Sequence, residues 1–308
     1  MSDDFDRSIL RIPLLGFLAV KARRIILPST DGFSLYELLK LYILGIIRGA
    51  FSSRASSIAF SFFIAIFPFL LFILNLIPFI KFIDNFQEEL LEFIEDLLPP
   101  QTSGFFNDIF YDIANNPRAG LLSFVFILSI ILMSNGVNAI LSSFEYSYHT
   151  QITRTIIRQY MVAMGVALII TSLILISVIS TIYLSYTIEN LKDSGMALDD
   201  LYWIRMGKYS ILVLMLFLSI SVLYYFGTRE SKHSRFFSVG SIFTTILIIL
   251  TTILFSAYIE NFATYNKLYG SIGALLIILL YIWLNSNIVL LGFELNASIV
   301  RLRKKNEE

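Results

Sequence analysis

The side chains that could do chemistry in this sequence are a few charged and amide groups that interrupt long apolar stretches. Arg54 opens an apolar run with no other charge before Lys81, and Glu145 and Glu294 stand near the ends of two later runs. A charge inside a membrane costs about 2.5–3.5 kcal/mol or more, so such residues pair with one another and mark ion or substrate pathways. The pattern favours an ionic pocket or gate between membrane helices.

The residue types that catalysis needs are scarce. Cysteine is absent and His149 and His233 are the two histidines, which disfavours thiolate zinc sites, cysteine nucleophiles and histidine metal sites. No Walker lysine loop, dinucleotide glycine pattern or Ser/His/Asp set is present. The formal net charge is zero, so no basic field favours nucleic acid. We therefore expect no enzyme activity, no metal and no cofactor.

The composition is that of a membrane protein. Of the 308 residues, 56% are hydrophobic and 15% are charged, whereas charged residues make up about a quarter of a soluble domain. About twenty apolar residues cross a hydrocarbon core about 30 Å thick. The sequence therefore predicts an all-α, polytopic bundle with six transmembrane helices, at about 56–80, 120–141, 160–186, 209–227, 236–258 and 271–299.

The distribution of basic residues predicts the topology. Seventeen lysines and arginines fall in the segments up to Arg54, in 142–159, in 228–235 and in the tail, and six fall in the other three loops. Cytoplasmic loops carry the excess of such residues. We expect a multi-pass protein of the bacterial inner (plasma) membrane with both termini in the cytoplasm. Its parts are a basic N-terminus (1–52), a transmembrane domain (53–300) and a basic tail (301–308).

Two amphipathic segments lie outside these spans. The stretch from Phe33 to Phe51 carries three charges, which favours a helix at the cytoplasmic interface over a spanning one; Asp31 or Ser34 is its expected cap. Residues 81–119 combine apolar stripes with many acids. We interpret them as an ordered extracytoplasmic helical hairpin that covers the bundle, the alternative being a solvated acidic linker.

Small residues predict where helices approach each other. In the first span they recur every fourth residue, which places them on one face of a helix. Pro68 interrupts that helix near its midpoint and is a candidate hinge. These seams are compatible with a monomeric bundle or with a homo-oligomer interface. The predicted seam residues are Ser53, Ser57, Ser61 and Ala65 in the first span, with Gly270, Ala274 and Gly292 in the sixth.

The predicted topology brings polar groups from three spans to the cytoplasmic level of the membrane. We expect Arg54 to pair with Glu294 or Glu145 and to line a polar pocket open to the cytoplasm. The alternative is that these groups fasten helices together, at about 1 kcal/mol each. The candidate pocket or gate residues are Arg54, Ser57, Ser61, Asn135, Asn138, Glu145, Asn285, Asn287, Glu294 and Asn296.

These stretches resemble the YihY/BrkB family of bacterial inner-membrane proteins, long mislabelled as ribonuclease BN. The resemblance covers about 35–300 and is carried by Arg54-Ala55 to Phe67-Pro68, Asn135-Gly136 to Glu145-Tyr146, and Tyr269-Gly270-Ser271 to Gly292-Phe293-Glu294-Leu295-Asn296-Ala297. One departure is that no tryptophan follows shortly after Arg154 in the stretch that comes after Glu145. The resemblance implies an all-helical membrane protein with an envelope or transport role, and the residues give no support to the ribonuclease name.

Two functions fit these observations. The first is translocation of lipids or amphipathic solutes, with Arg54, Glu145 and Glu294 as gate or headgroup contacts and membrane lipids as partners. The second is a non-catalytic envelope scaffold that docks a protein partner through residues 81–119. A membrane-embedded enzyme is a third, weaker alternative.

Overall fold

The computed structural model describes residues 21, 34, 36–37, 39–40, 42, 51–76, 119–146, 154–193, 198–228, 236–261 and 271–307. In these ranges the chain forms six long helices, and all six are long and apolar enough to cross a membrane. The prediction of an all-α bundle of six transmembrane helices is confirmed. The helices are α1 (Phe51–Leu76), α2 (Ala119–Glu145), α3 (Ile156–Asp193), α4 (Leu198–Gly227), α5 (Val239–Asn261) and α6 (Ser271–Glu307).

The helices form a closed ring in chain order. Each packs on the next one along the chain, and α6 returns to pack on α1. Neighbouring helices run in opposite directions, so the starts of α1, α3 and α5 lie beside the ends of α2 and α4 and the C-terminal half of α6. We call this the polar end of the bundle, because most of the buried polar contacts between helices are found there.

The outer surface of the ring suits lipid. Large apolar side chains are exposed along the helices, including Phe60 on α1, Phe124 on α2, Ile246 and Ile253 on α5. A soluble protein would bury such side chains, whereas lipid tails solvate them at no cost. The bundle is therefore apolar outside, and three charged side chains, Arg54, Glu145 and Glu294, are buried inside it.

The packing face of α1 passes through Arg54, Ile58 and Ala65, which are buried. Of the predicted small-residue column, Ala65 lies on this face, whereas Ser53 and Ser57 are exposed on the monomer. Of this column, Ala65 therefore packs in the bundle, whereas Ser53 and Ser57 do not, because the helix turns Arg54 rather than Ser53 inward. Pro68 lies inside α1 and is buried; its hinge role stays a prediction.

The segment before α1 is helical at Tyr36, Glu37, Leu39, Lys40 and Tyr42. Ser34 and Glu37 form a capping box at its start: the Ser34 amide donates to the Glu37 carboxylate at 3.0 Å, and the Glu37 amide donates to Ser34 Oγ at 3.4 Å. This arrangement satisfies two amides at a helix N-terminus. Ser34, of the two predicted caps, therefore occupies the capping position.

Several predictions fall outside the described part of the chain. They are the extracytoplasmic hairpin at 81–119, of which only Ala119 is described, the seam residue Gly270, the side chain of Ala274, the predicted cap Asp31 and most of the basic N-terminus.

Candidate functional site

The charged pair predicted from the sequence is present at the polar end. Arg54 Nη2 lies 3.1 Å from Glu294 Oε1, and the two side chains are 9% and 1% exposed. The pair joins the first turn of α1 to α6, which is the contact that closes the ring. Of the two predicted partners of Arg54, Glu294 is the one that forms the ion pair.

Arg54 also engages the end of α2. Its Nη1 donates to the carbonyl oxygen of Ser143 at 2.8 Å, one of the last four carbonyls of a helix that ends at Glu145. Such carbonyls have no partner within the helix and carry the negative end of its dipole, so a guanidinium there is stabilised. The ring of Phe51 lies 5.5 Å from the guanidinium carbon, a cation–π contact. Three helices thus meet at one arginine.

A second arginine holds the end of α4. Arg154 Nη1 donates to the carbonyl oxygens of Phe226 at 2.9 Å and Gly227 at 3.1 Å, and its Nε lies 3.9 Å from Glu145 Oε1. Burial lowers the pKa of Arg154, while the Glu145 carboxylate opposes that shift. Since Arg154 caps a helix and pairs with an acid, its contacts are those of a fastener between α2, α3 and α4.

An aromatic layer separates the two arginine sites. Phe144 on α2 stacks on Phe293 on α6 with ring centroids 3.9 Å apart and an interplanar angle of 7°, and Tyr224 meets Phe144 edge-on at 5.7 Å. A Cβ on Gly227 would lie 2.8 Å from the Phe144 ring, so this glycine makes room for the stack. The residues that flank the rings, Ser143, Glu145 and Glu294, belong to the two ionic sites, which fixes their relative positions.

Asn296 fastens α6 to the start of α5. Its Oδ1 accepts from the Gly240 amide at 2.8 Å, and its Nδ2 donates to Ser238 Oγ at 2.8 Å. Ser238 in turn accepts from the Ser241 amide at 3.1 Å, as an N-cap does. The sequence offered two roles for Asn296, a pocket residue or a fastener between helices. Its contacts are those of a fastener.

The close approach of α5 and α6 depends on two glycines. A Cβ on Gly240 would meet the carbonyl oxygen of Gly292, and a Cβ on Gly292 would meet Thr244 Oγ1 and lie 2.5 Å from the Tyr224 hydroxyl. That hydroxyl bonds Thr244 Oγ1 at 2.6 Å and donates to the Val289 carbonyl at 2.8 Å. Gly292 therefore lies on a helix-packing seam, as its residue type predicts.

The remaining predicted amides do not reach the Arg54–Glu294 pair. Asn285 Nδ2 and Asn287 Nδ2 donate to carbonyls one turn earlier on α6, at 2.9 and 2.7 Å, and Asn135 is exposed on α2. Ser61 donates to the Ser57 carbonyl on its own helix at 3.0 Å. The bonds of Asn285, Asn287 and Ser61 stay within their own helices, and Asn285 Oδ1 is buried without a hydrogen-bond partner.

A glutamine that the predicted spans left in a loop joins α2 to α3. Gln159 Nε2 donates to Ser142 Oγ at 2.6 Å and to Asn138 Oδ1 at 3.2 Å. The predicted third span began at 160, so Gln159 counted as a loop residue, whereas α3 begins at Ile156. An amide next to an apolar run was the signal that could have found it.

Tyr42, from the N-terminal helix, lies close enough to Glu294 for the charge of the carboxylate to act on the Tyr42 phenol. Burial and the negative charge of Glu294 together raise the pKa of Tyr42 to about 12. The phenol thus borders the ion pair from outside the six-helix ring. Within the described ranges, no three His, Cys, Asp or Glu residues are grouped as a metal site requires.

The chain is similar to a set of bacterial membrane proteins. Residues 46–308 match the sequence profile of the family described as Virulence factor BrkB. YfkH of Bacillus subtilis (strain 168), whose name calls it ribonuclease-like, is 30% identical over 263 residues, which cover 83% of this chain and 92% of that protein.

More distant relatives are described as UPF0761 membrane proteins. One from Psychrobacter sp. (strain PRwf-1) is 20% identical over 86% of this chain and 48% of its own length. One from Xanthomonas campestris pv. campestris (strain B100) is 24% identical over 82% of this chain and 58% of its own length. This chain therefore spans about half the length of these relatives. No solved structure matches, and neither family description is that of an enzyme.

Proposed function

The chain belongs to the virulence factor BrkB family of multi-pass membrane proteins, and from this premise we propose that it translocates a lipid or an amphipathic solute across or within the membrane. The protein works in the bacterial inner membrane with both termini in the cytoplasm, as its basic residues favour. In that orientation the polar end of the bundle faces the cytoplasm.

The observation that carries the proposal is the position of the Arg54–Glu294 ion pair. The pair is buried in an apolar bundle, where charged residues are expensive and are retained for ion or substrate pathways. It also lies on the α1–α6 contact, which joins the first helix to the last and closes the ring. Separating α1 from α6 would open the ring toward lipid and expose one cation and one anion to an entering headgroup.

Pro68 supports movement of α1 at this seam. A proline inside a membrane helix removes one backbone hydrogen bond and weakens the helix at that point. Because Pro68 lies four turns beyond Arg54, the cytoplasmic part of α1 can swing while its outer part stays packed through Phe69. The Arg154 site, in contrast, binds three helices that are neighbours in the chain, which suits a fixed part of the bundle.

The test is a lipid-translocation assay with the full chain in phosphatidylcholine vesicles that contain a trace of fluorescent phosphatidylglycerol. Dithionite quenches label in the outer leaflet, so a translocator raises the quenched fraction above one half. We expect this from the wild type, and a rate about 10–100-fold lower from Arg54→Gln and Glu294→Gln, since a charge-assisted hydrogen bond contributes about 1.5–3 kcal/mol.

Glu145→Gln is the matched control, because it also removes a buried carboxylate beside an arginine but lies away from the α1–α6 contact. We expect it to keep the wild-type rate once folded protein is compared. Wild-type vesicles that behave like protein-free vesicles would overturn lipid translocation. The scaffold function through residues 81–119 would then be the prediction to pursue.

A further inference from the structure

The outer surface of α3 carries an arginine without a partner near the polar end. Arg158 lies in the first turn of α3 and is exposed. Among the residues that the structure describes, it forms no hydrogen bond or ion pair. The preceding acid, Glu145, is engaged by Arg154 at 3.9 Å, and the sequence has no other aspartate or glutamate before Glu189. This part of the chain therefore supplies no anion to Arg158.

The length of α3 places Arg158 at the depth of lipid headgroups. The next charged residue on the helix is Glu189, 31 positions further along. At 1.5 Å per residue this separation is about 46 Å, close to the thickness of about 40–45 Å of a bilayer with its headgroups. The two charges therefore lie at the headgroup levels of opposite leaflets.

A gap in the exposed surface of α3 lies next to Arg158. Gly165 is exposed and stands two turns along the helix on the same face. Its neighbours on the helix surface are Met161, Leu168 and Ile169, which are 57%, 42% and 42% exposed. The missing side chain of Gly165 leaves a shallow apolar groove between these three side chains.

The other helices make no use of this gap. A Cβ at Gly165 would meet nothing within 4 Å. Glycine destabilises a helix relative to alanine, and in membrane bundles a small residue offsets that loss by letting another surface approach closely. Since no other helix approaches Gly165, the groove suits an occupant from outside the bundle.

From these features we propose that this face of α3 binds one anionic phospholipid, with Arg158 on the phosphodiester and one acyl chain in the groove over Gly165. A guanidinium offers a planar fork of donors that matches the oxygens of a phosphate group. We call the surface the Arg158 face. It consists of Arg158, Met161, Gly165, Leu168, Ile169 and Ser172.

The length of the Arg158 face matches one leaflet. Ser172 is exposed and lies on the same side of α3 two turns beyond Gly165. The 14 positions from Arg158 to Ser172 correspond to about 21 Å, which is about half the thickness of a bilayer with its headgroups. A lipid with its phosphate at Arg158 therefore reaches the level of Ser172 with the ends of its acyl chains.

Charge favours an anionic lipid over the other possible occupants. The phosphate of phosphatidylcholine is balanced by its own choline, whereas phosphatidylglycerol keeps a net negative charge for Arg158. A second copy of the chain fits less well. Copies with one orientation in a membrane pair about a two-fold axis along the membrane normal, so a contact through this face would bring Arg158 close to the partner's Arg158.

The test is native mass spectrometry of the full chain in detergent micelles, titrated with dioleoyl phosphatidylglycerol in one arm and dioleoyl phosphatidylcholine in the other. The acyl chains are the same, so the comparison reports the headgroup. We expect the wild type to bind one phosphatidylglycerol about fivefold more tightly than phosphatidylcholine, the equivalent of about 1 kcal/mol for one basic residue beside an anionic lipid.

Two variants with matched controls locate the site. Arg158→Gln is expected to bind the two lipids equally, and Gly165→Leu to lose the tight phosphatidylglycerol adduct because leucine fills the groove. Lys208→Gln and Gly207→Leu make the same changes on α4, where a Cβ at Gly207 also meets nothing within 4 Å. Both controls are expected to match the wild type.

Several outcomes would overturn the lipid site. They are equal affinity of the wild type for the two lipids, phosphatidylglycerol binding that Arg158→Gln or Gly165→Leu leaves unchanged, and a dimer that Gly165→Leu dissociates, which would assign the groove to a second copy. The wild-type comparison of the two lipids stands even if a variant fails to fold. The site lies away from the Arg54–Glu294 pair, so a failure of lipid translocation in vesicles would leave this proposal in place.

Discussion

Gly240 is the position at which one added methyl group should do most damage. Its Cβ would meet the carbonyl oxygen of Gly292 and lie 2.6 Å from both Cγ and Oδ1 of Asn296. Carbon atoms in packed proteins stay about 3.5–4 Å apart, so the helices must separate or Asn296 must move. Neither is easy, since one obstacle is backbone and the other is held by two hydrogen bonds.

The expected cost follows from these contacts. Overpacking costs about 1–3 kcal/mol, and the loss of the hydrogen bond between the Gly240 amide and Asn296 leaves two buried groups unpaired, at about 1–3 kcal/mol more. Alanine gains about 0.5–1 kcal/mol over glycine in a helix. The net destabilisation of Gly240→Ala is therefore about 1–5 kcal/mol, a fall of several degrees in the midpoint of thermal unfolding.

Gly165→Ala on α3 provides the matched control. A Cβ at Gly165 meets nothing within 4 Å, so the same substitution brings the helix gain without the clash. The assay is thermal unfolding of the purified protein in detergent micelles, followed as the fraction that remains monodisperse on size-exclusion chromatography. A midpoint for Gly240→Ala equal to or above that of Gly165→Ala would refute the packing argument.

Three further predictions concern the charged groups. Arg54→Met or Glu294→Met alone should destabilise the protein by about 3–5 kcal/mol, whereas the double variant should recover most of the loss because no charge is left unpaired; additive midpoints of unfolding would contradict this. Arg154→Lys keeps the charge but loses the planar fork that reaches two carbonyls, so it should speed hydrogen exchange at the end of α4, and unchanged exchange there would argue against the cap. Because the pKa of Tyr42 is raised from 10.0 to about 12, its contribution to stability is present below pH 10 and lost between about pH 10 and 12; Tyr42→Phe should lose less stability over that range, measured as the difference in unfolding midpoints, and identical pH dependence would count against the assigned environment.

The sequence predicted the ionic pair from two facts: the free energy that a charge costs in a membrane, and the predicted topology of the helices. Few charges interrupt the apolar runs, and the basic-residue bias places Arg54 and Glu294 at the same level of the membrane. Two opposite charges at one depth in hydrocarbon are strongly stabilised when they form an ion pair. Predicted depth could not choose between Glu294 and Glu145, since the same topology predicts both acids at that level.

The structure decides that choice through the order of helices in the ring. α6 packs on α1, so Glu294 reaches Arg54, while Glu145 at the end of α2 points toward Arg154 and the last carbonyls of α4. The same packing explains why Ser53 and Ser57 lie outside: inward rotation of α1 to satisfy Arg54 turns the neighbouring serines outward. A four-residue spacing marks a helix face but not which way that face turns.

By itself the sequence determined the class of protein and the six helices, because these follow from the free energy of placing each side chain in hydrocarbon or water and add along the chain; the depth of each charge stays a prediction from the basic residues. The tertiary structure alone decided the partners: the arginine that caps α4, the glutamine between α2 and α3, the glycines of the α5–α6 contact and the aromatic stack between the ionic sites. Such contacts depend on distances of a few ångströms between residues far apart in the chain. No periodicity within a helix encodes them, because only close packing of the whole ring determines which of two chemically equal acids lies beside Arg54.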